Sequence, residues 1–294
     1  MNRKWICLAL ALMMTLTAGA SLAEGWGQEP LCFGNQPTYA AYDDQDHLKI
    51  NILKVDQSPK LVYFVIDVQI SEPGVLSTVF HNDKVFEAEN DKQRQSRMEK
   101  TAVLETIAEN HGAVLAVNCD FCGYHENGVI IRNGVLCRAK KTNKLDMLII
   151  DENGDFSLHY DRSGDNPAEL AQDLLARNVW QTIEFGPALV ENGEALPLDN
   201  KTHVVSTRSS QLEPRTGIGQ VGKLHYVIIL VEGRRDNYSE GISLQGFQQL
   251  FLEYGAQTAI NLDGGGSAKV YFYNQVLNRP TSPTRQVSDA LVFK

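Results

Sequence analysis

Three stretches of this chain combine residue types that can do chemistry. Asp263-Gly264-Gly265-Gly266-Ser267 sets a carboxylate before three consecutive glycines and a hydroxyl after them. Glycine runs weaken regular structure, but they let backbone N–H groups converge on an anion and let a ligand approach the main chain. Arg215-Thr216 and Glu232-Gly233-Arg234-Arg235 flank the apolar run Leu224–Val231. A guanidinium fork there grips phosphate or carboxylate through two oxygens; Arg132 and Arg208 are weaker candidates of the same kind. Residues 112–120 (GAVLAVNCD) and 255–263 (GAQTAINLD) agree at five of nine positions, including Asn118 with Asn261 and Asp120 with Asp263. The repetition points to a duplicated half. It also predicts two Asn-x-Asp corners facing one cleft, with carboxylates within about 10 Å of each other.

Other motifs are excluded by their context. Gly217-x-Gly219-x-x-Gly222 has the spacing of a dinucleotide fingerprint, but a strand follows it where the fingerprint needs a helix; the glycines read as a turn between strands. No His-Glu-x-x-His, Gly-x-Ser-x-Gly or Gly-Lys-Ser/Thr pattern occurs.

The elements that must position these residues are strands with a few helices. Asn133-Gly134, Asn153-Gly154 and Asn192-Gly193 each predict a type I′ hairpin turn. Leu61–Ile70 reads as a central strand, and Leu224–Val231 as another. Val103, Leu104, Ile107, Ala108 and His111 share one helical face, stopped by Gly112. Asn166-Pro167 opens a helix to about Ala176. Ser243 caps a third, striped by Leu244, Phe247, Phe251 and Tyr254 and stopped by Gly255. The expected class is α+β: a mixed, largely antiparallel sheet with a few covering helices, built as two duplicated halves.

Residues 2–4 are Asn-Arg-Lys, an apolar run follows from Trp5 to Leu16, and small residues end at Ala23. This order predicts a cleaved export signal over 1–23. The run is short for a membrane span, which takes about 20 apolar residues. Beyond it, 24–88 is read as a strand-rich part of the same domain as 89–294. With 43% hydrophobic and 21% charged residues, the chain has material for a core. A net charge of −9 without a basic block argues against a nucleic-acid partner. Once Cys7 leaves with the signal, Cys32, Cys119, Cys122 and Cys137 remain as disulfide candidates for an exported chain. The competing use is zinc, held by Cys119-x-x-Cys122 with Cys137 and His125. No cofactor is expected.

The chain resembles the phosphodiester glycosidase family. The matching pieces are Ala116-Val-Asn-Cys-Asp120, Val129–Val135, Phe185-Gly-Pro-Ala-Leu-Val190, Pro214-Arg-Thr-Gly-Ile-Gly219, Val231-Glu-Gly-Arg234, Asn261-Leu-Asp-Gly-Gly-Gly-Ser267 and Val287–Val292, in family order. The resemblance implies an exported glycosidase that hydrolyses a sugar-1-phosphodiester on a phosphate-linked carbohydrate. It implies a catalytic carboxylate at Asp263, partnered by Asp120 or Glu232. Substrate would be bound by Asn118, Arg215, Thr216, Arg234, Asn261, Gly264, Gly265, Gly266 and Ser267. Cysteines at 119, 122 and 137 depart from the family pattern. They favour a second expectation, a non-catalytic module that binds surface glycans.

Overall fold

The structure, a computed structural model, describes residues 30–294 apart from 32, 34–35, 142–144, 161 and 199–209. The export signal, Cys32 and Arg208 therefore lie outside the described residues. Within them every strand pairing is antiparallel. An eight-stranded sheet runs in the order Ala40–Asp43, Leu48–Gln57, Leu61–Ile70, His225–Val231, Arg215–Gly222, Thr258–Asn261, Ala188–Glu191, Glu194–Ala195. A five-stranded sheet runs Gln275–Val276, Val270–Phe272, Leu115–Asn118, Asp289–Phe293, Leu76–Phe80. A smaller sheet joins Phe156–His159, Asp146–Asp151 and Val179–Phe185, and Gly128–Arg132 pairs with Val135–Lys140 as a hairpin.

Side-chain alternation explains the layering. Along Leu61–Ile70, Phe64, Ile66, Val68 and Ile70 face one core with Leu115, Val117, Val270, Leu291 and Phe293 of the five-stranded sheet. Tyr63 and Val65 face the opposite core, with Phe247 and Phe251 of the helix Leu244–Glu253. The helix Leu104–Asn110 covers the far side of the five-stranded sheet through Leu104, Ile107 and Ala108. The order is thus helix, sheet, sheet, helix, with both sheets buried on two faces. Each fully buried Phe or Leu there contributes about 1.5–3 kcal/mol.

The three expected helices form with their expected caps. Asn166 accepts from Ala168 N and Glu169 N ahead of Pro167–Ala176, and Ser243 accepts from Gly246 N. A fourth helix, Asp91–Met98, was not expected from the sequence. Its DKQRQSRM has no apolar stripe, and only its Asn90 cap is a signal. Asn133-Gly134 and Asn192-Gly193 take positive φ at both residues, as a type I′ turn requires. Asn153-Gly154 does not, since only Gly154 is positive. There Asp151 Oδ1 accepts from Asn153 N and Asp155 N and organises the loop instead.

The glycine pattern at 217–222 lies within a strand, not in a turn as the sequence suggested. A Cβ at Gly217 would come within 2.9 Å of the Phe247 ring, so glycine lets the covering helix lie against the strand. The segment before residue 88 is built into the same sheets. Leu61–Ile70 pairs with His225–Val231, and Leu76–Phe80 with Asp289–Phe293. Among the described residues no helix is long and apolar enough to cross a membrane.

Candidate active site

The repeated motif brings two corners together. Leu115–Asn118 and Thr258–Asn261 belong to different sheets and end side by side. Asp263 N donates to Cys119 O at 3.1 Å, and Asn118 Nδ2 donates to Asp263 O. Asn118 Oδ1 in turn accepts from Thr216 Oγ1 at 3.0 Å and from Lys269 N at 3.2 Å. Asn118 and Thr216, both expected to bind substrate, are thus buried and bonded to each other inside the fold. They form the joint that holds the Asp263 corner to its neighbouring strands.

The two aspartates of the repeat have opposite surroundings. Asp263 lies on the wall of a pocket of about 650 Å³. Burial raises its carboxyl above the ordinary value, against opposing hydrogen bonds from Ser267 and Gly264 N and the charge of Arg285. Asp120 is absent from that wall. It is fully buried and bonded to Arg132 Nη2 at 3.1 Å, to Glu184 N and to Cys122 N. Burial alone would raise it, but Arg132 and these donors overcome that effect and hold it low. The same guanidinium meets Asp289 at 3.1 Å, where burial and the Asp120 charge push the carboxyl well up. Arg132, a weak anion-binding candidate from the sequence, is therefore the counter-ion of a buried carboxylate pair. Only one corner of the repeat faces the cleft, not both.

Glu232 is also off the pocket wall. It is buried and accepts from Arg279 N through Oε1.

The wall brings together Arg215, Arg234, Asn261, Asp263, Gly264, Gly265, Gly266 and Ser267, all expected from the sequence. Arg215 is pinned by Nε donating to Ile242 O at 2.8 Å. Burial lowers it to about 10, so it stays charged at neutral pH. Arg234 donates from Nε to Glu213 Oε2. Asn261 is fixed to a facing segment: N donates to Pro187 O, O accepts from Gly186 N, and Nδ2 donates to Gly186 O at 2.8 Å.

The glycine loop differs from the expected anion nest. Gly264 N donates to Asp263 Oδ1, Gly265 N to Pro214 O, and Ser267 N to Gly264 O. Those three donors are spent within the fold. The glycines serve close approach instead. A Cβ at Gly264 would stand 2.7 Å from Pro214 O, and one at Gly265 would stand 3.1 Å from Arg234 Nη2. Gly265 also has φ +58°.

Sequence reasoning missed Glu213, Arg285, Phe121 and Phe185, which also line the wall. Glu213 directly precedes Pro214-Arg215 and was within reach of that motif. Arg285 carried no signal; it lies over the Tyr124 ring, 5.6 Å from the centroid. Phe121 and Phe185 meet edge to face at 5.2 Å and give one side of the pocket an apolar surface.

The expected disulfide is not formed among the described cysteines: Cys119, Cys122 and Cys137 are free and buried. Cys119 packs in the core between the two large sheets, whereas Cys122 and Cys137 pack in a separate cluster with Phe80 and Met98. Burial pushes all three thiols up. Donor atoms of Cys119, Asp120 and Asp289 lie within 4.8 Å of one another, but Arg132 already supplies their cation. Beside Cys122 and His125 stands Arg138, whose Nη1 donates to both of their carbonyl oxygens. A zinc ion at Cys122 would meet two guanidiniums.

Among the described residues, an antiparallel α+β fold thus carries two carboxylates, Asp263 and Glu213, and three guanidiniums on the wall of one pocket. Residues 111–294 match the family described as NAGPA, phosphodiester glycosidase, and the chain belongs to this family. Its fold is similar to that of the auto-inhibited catalytic domain of zebrafish N-acetylglucosamine-1-phosphodiester alpha-N-acetylglucosaminidase. That likeness has a TM-score of 0.66 at 17% identity, over 87% of this chain and 86% of that one. A hypothetical protein from Synechocystis is similar at TM-score 0.56 and 16% identity, over 88% of this chain and 64% of that one. In sequence, the chain is 25% identical over 248 residues to the uncharacterized SPbeta prophage-derived protein YomE of Bacillus subtilis. The match takes in 80% of this chain and 36% of that protein, so the chain spans about a third of its curated relative.

Proposed function

We propose that the chain is an exported hydrolase that cleaves the sugar C1–O bond of a sugar-1-phosphodiester. The observation that carries this reading is one pocket in which Asp263, its carboxyl raised by burial, stands with Arg215, Arg234 and Arg285. C1–O cleavage builds positive charge on the sugar and negative charge on the departing phosphate. Asp263 as carboxylate activates water or stabilises the sugar cation. Its raised basicity suits that task. The departing group is a phosphate monoester, whose second ionisation lies near 6. It leaves without a strong proton donor. The guanidiniums take up its growing charge, and Phe121 and Phe185 offer an apolar face to the sugar.

Asp120 and Glu232 keep no direct part in this reading, because both are buried outside the wall. The second acid of the pocket is Glu213. The cysteines that favoured a non-catalytic module also lie outside the wall, which removes the feature supporting that alternative. Export rests on the order of residues 2–23. The test is incubation of the exported protein with a sugar-1-phosphate aryl diester. Release of free sugar is expected, and binding without release would overturn the reading.

A further inference from the structure

Residues 279–285 bring Thr281, Ser282 and Arg285 to the pocket wall, yet they form no strand or helix. Pro280 and Pro283 have no N–H to donate. Among the described residues, the one backbone hydrogen bond within this segment runs from Arg285 N to Ser282 O at 3.0 Å. Side chains from other parts of the fold hold it in place.

Glu232 and Arg235 take its start. Both belong to the motif Glu232-Gly233-Arg234-Arg235, which follows the strand His225–Val231. Glu232 is buried, and its N donates to Val62 O at 2.9 Å, which fixes its backbone to the neighbouring strand. Its Oε1 accepts from Arg279 N. Arg235 donates from Nε to Arg279 O at 3.3 Å and from Nη2 to Pro280 O at 2.7 Å. The Arg279 guanidinium lies 4.6 Å from the centroid of the Tyr238 ring. Lys269 takes the middle of the segment. It is buried, pairs with Glu105 at 2.9 Å, and donates from Nζ to Pro283 O at 2.7 Å. Between these ties the segment lies on the glycine loop. Thr281 Oγ1 donates to Gly265 O at 3.3 Å, and a Cβ at Gly266 would stand 3.3 Å from Ser282 Cβ. So placed, the Arg285 charge opposes the effect of burial on Asp263.

We propose that Glu232, Arg235 and Lys269 are positioning residues that hold residues 279–285 against the glycine loop, so that Arg285 faces the Asp263 carboxyl and the substrate phosphate. The inference rests on the phosphodiester reading above and names what keeps its third guanidinium in place. Arg285 is exposed. On an untied segment, it would lose backbone and rotamer freedom on meeting a ligand. On a tied one, it meets the growing phosphate charge with little reorganisation. Glu232 Oε1 and Lys269 Nζ belong to buried side chains, and a buried polar group is costly to leave unpaired. The ties therefore resist opening. Glu232 thus serves the pocket from behind its wall.

The test compares wild type with Glu232→Gln, Glu232→Ala, Arg235→Ala, Lys269→Met and Arg285→Ala. Two quantities are measured. One is hydrogen exchange at the Arg285 amide, which donates to Ser282 O and to none of the substituted side chains. The other is calorimetric binding of methyl phenyl phosphate, a monoanionic diester. Glutamine keeps an oxygen for Arg279 N, so Glu232→Gln should behave as wild type in both. Loss of a tie should speed Arg285 exchange by about fivefold, the scale of one lost hydrogen bond. It should weaken diester binding by about tenfold, the scale of one bond to a charged group, as Arg285→Ala does. Added to Arg285→Ala, the same change should cost little more, because the side chain it positions is gone. Arg235 is half-buried, so Arg235→Ala keeps the test decisive where a buried substitution fails to fold. Unchanged exchange in folded tie variants overturns the inference. So does diester affinity that survives faster exchange, or a loss that multiplies with that of Arg285→Ala. Exchange needs no ligand. A wild type that binds no diester would therefore sink the phosphodiester reading, while faster exchange in the tie variants would still support the ties.

Discussion

Asn118→Ala separates a structural joint from a substrate ligand. The side chain makes three hydrogen bonds, to Asp263 O, Thr216 Oγ1 and Lys269 N. Each is buried or nearly so, and each contributes about 1 kcal/mol net. Alanine also strands the backbone oxygen of Asp263 and the N–H of Lys269, and an unsatisfied buried group costs more than a bond lost at the surface. The expected destabilisation is about 3 kcal/mol or somewhat more. For a domain of this size that is a fall in Tm of roughly 6–12 °C. Because the lost bond to Asp263 O also frees the Asp263 corner, kcat should fall while the variant is still folded if that corner acts as proposed. Asn118→Asp keeps both acceptor bonds but turns a charged oxygen toward Asp263 O, so it should be no more stable than alanine. Differential scanning calorimetry and turnover on the same preparations provide the comparison. If Asn118→Ala melts within about 2 °C of wild type while KM rises alone, Asn118 contacts substrate and the joint does not exist.

Asp263→Asn should lower kcat by at least about 10²-fold, the scale of a lost general base, with KM little changed. The carboxyl is raised by burial, so the folded chain binds its proton more tightly than the unfolded chain does. Stability contributed by the protonated form is then lost as pH rises through the folded value, and the asparagine variant should melt higher than wild type at pH 7. The acid limb of wild-type activity should lie above the usual aspartate range. Arg215→Lys loses the planar fork, so kcat/KM should fall for phosphodiesters and be spared for any aryl glycoside that is hydrolysed; equal losses would show that Arg215 does not recognise phosphate. The thiols of Cys119, Cys122 and Cys137 should resist alkylation in the native protein and react on denaturation without reductant. Fast native labelling of these three would contradict their burial.

The parts of the fold governed by local rules were legible in the sequence. Ser243 and Asn166 name helix starts, and Asn133-Gly134 and Asn192-Gly193 name turns, because cap and turn chemistry act within a few residues. The repeat at 112–120 and 255–263 revealed the two corners for the same reason. What the repeat does not encode is which way each corner faces. Asp120 and Asp263 occupy matching positions, yet Arg132 draws one inward and leaves the other on the pocket wall. That outcome depends on a side chain twelve residues beyond Asp120 and on Asp289 near the C-terminus. Glu213 and Arg285 were missed because their meaning is spatial: one completes Arg234, the other reaches the pocket from a late loop. The glycine run was located from sequence, but its N–H groups go to Asp263, Pro214 and Gly264. A glycine pattern does not distinguish an anion nest from close packing.

The measurement that bears most directly on the account is turnover of a sugar-1-phosphodiester in ¹⁸O-labelled water, followed by mass analysis of the phosphate product. Attack at the sugar carbon predicts free sugar and a phosphate monoester that carries no label, with both products lost in Asp263→Asn. A labelled phosphate monoester would mean attack at phosphorus and cleavage of the other bond, and would contradict the mechanism built on Asp263 and the three guanidiniums.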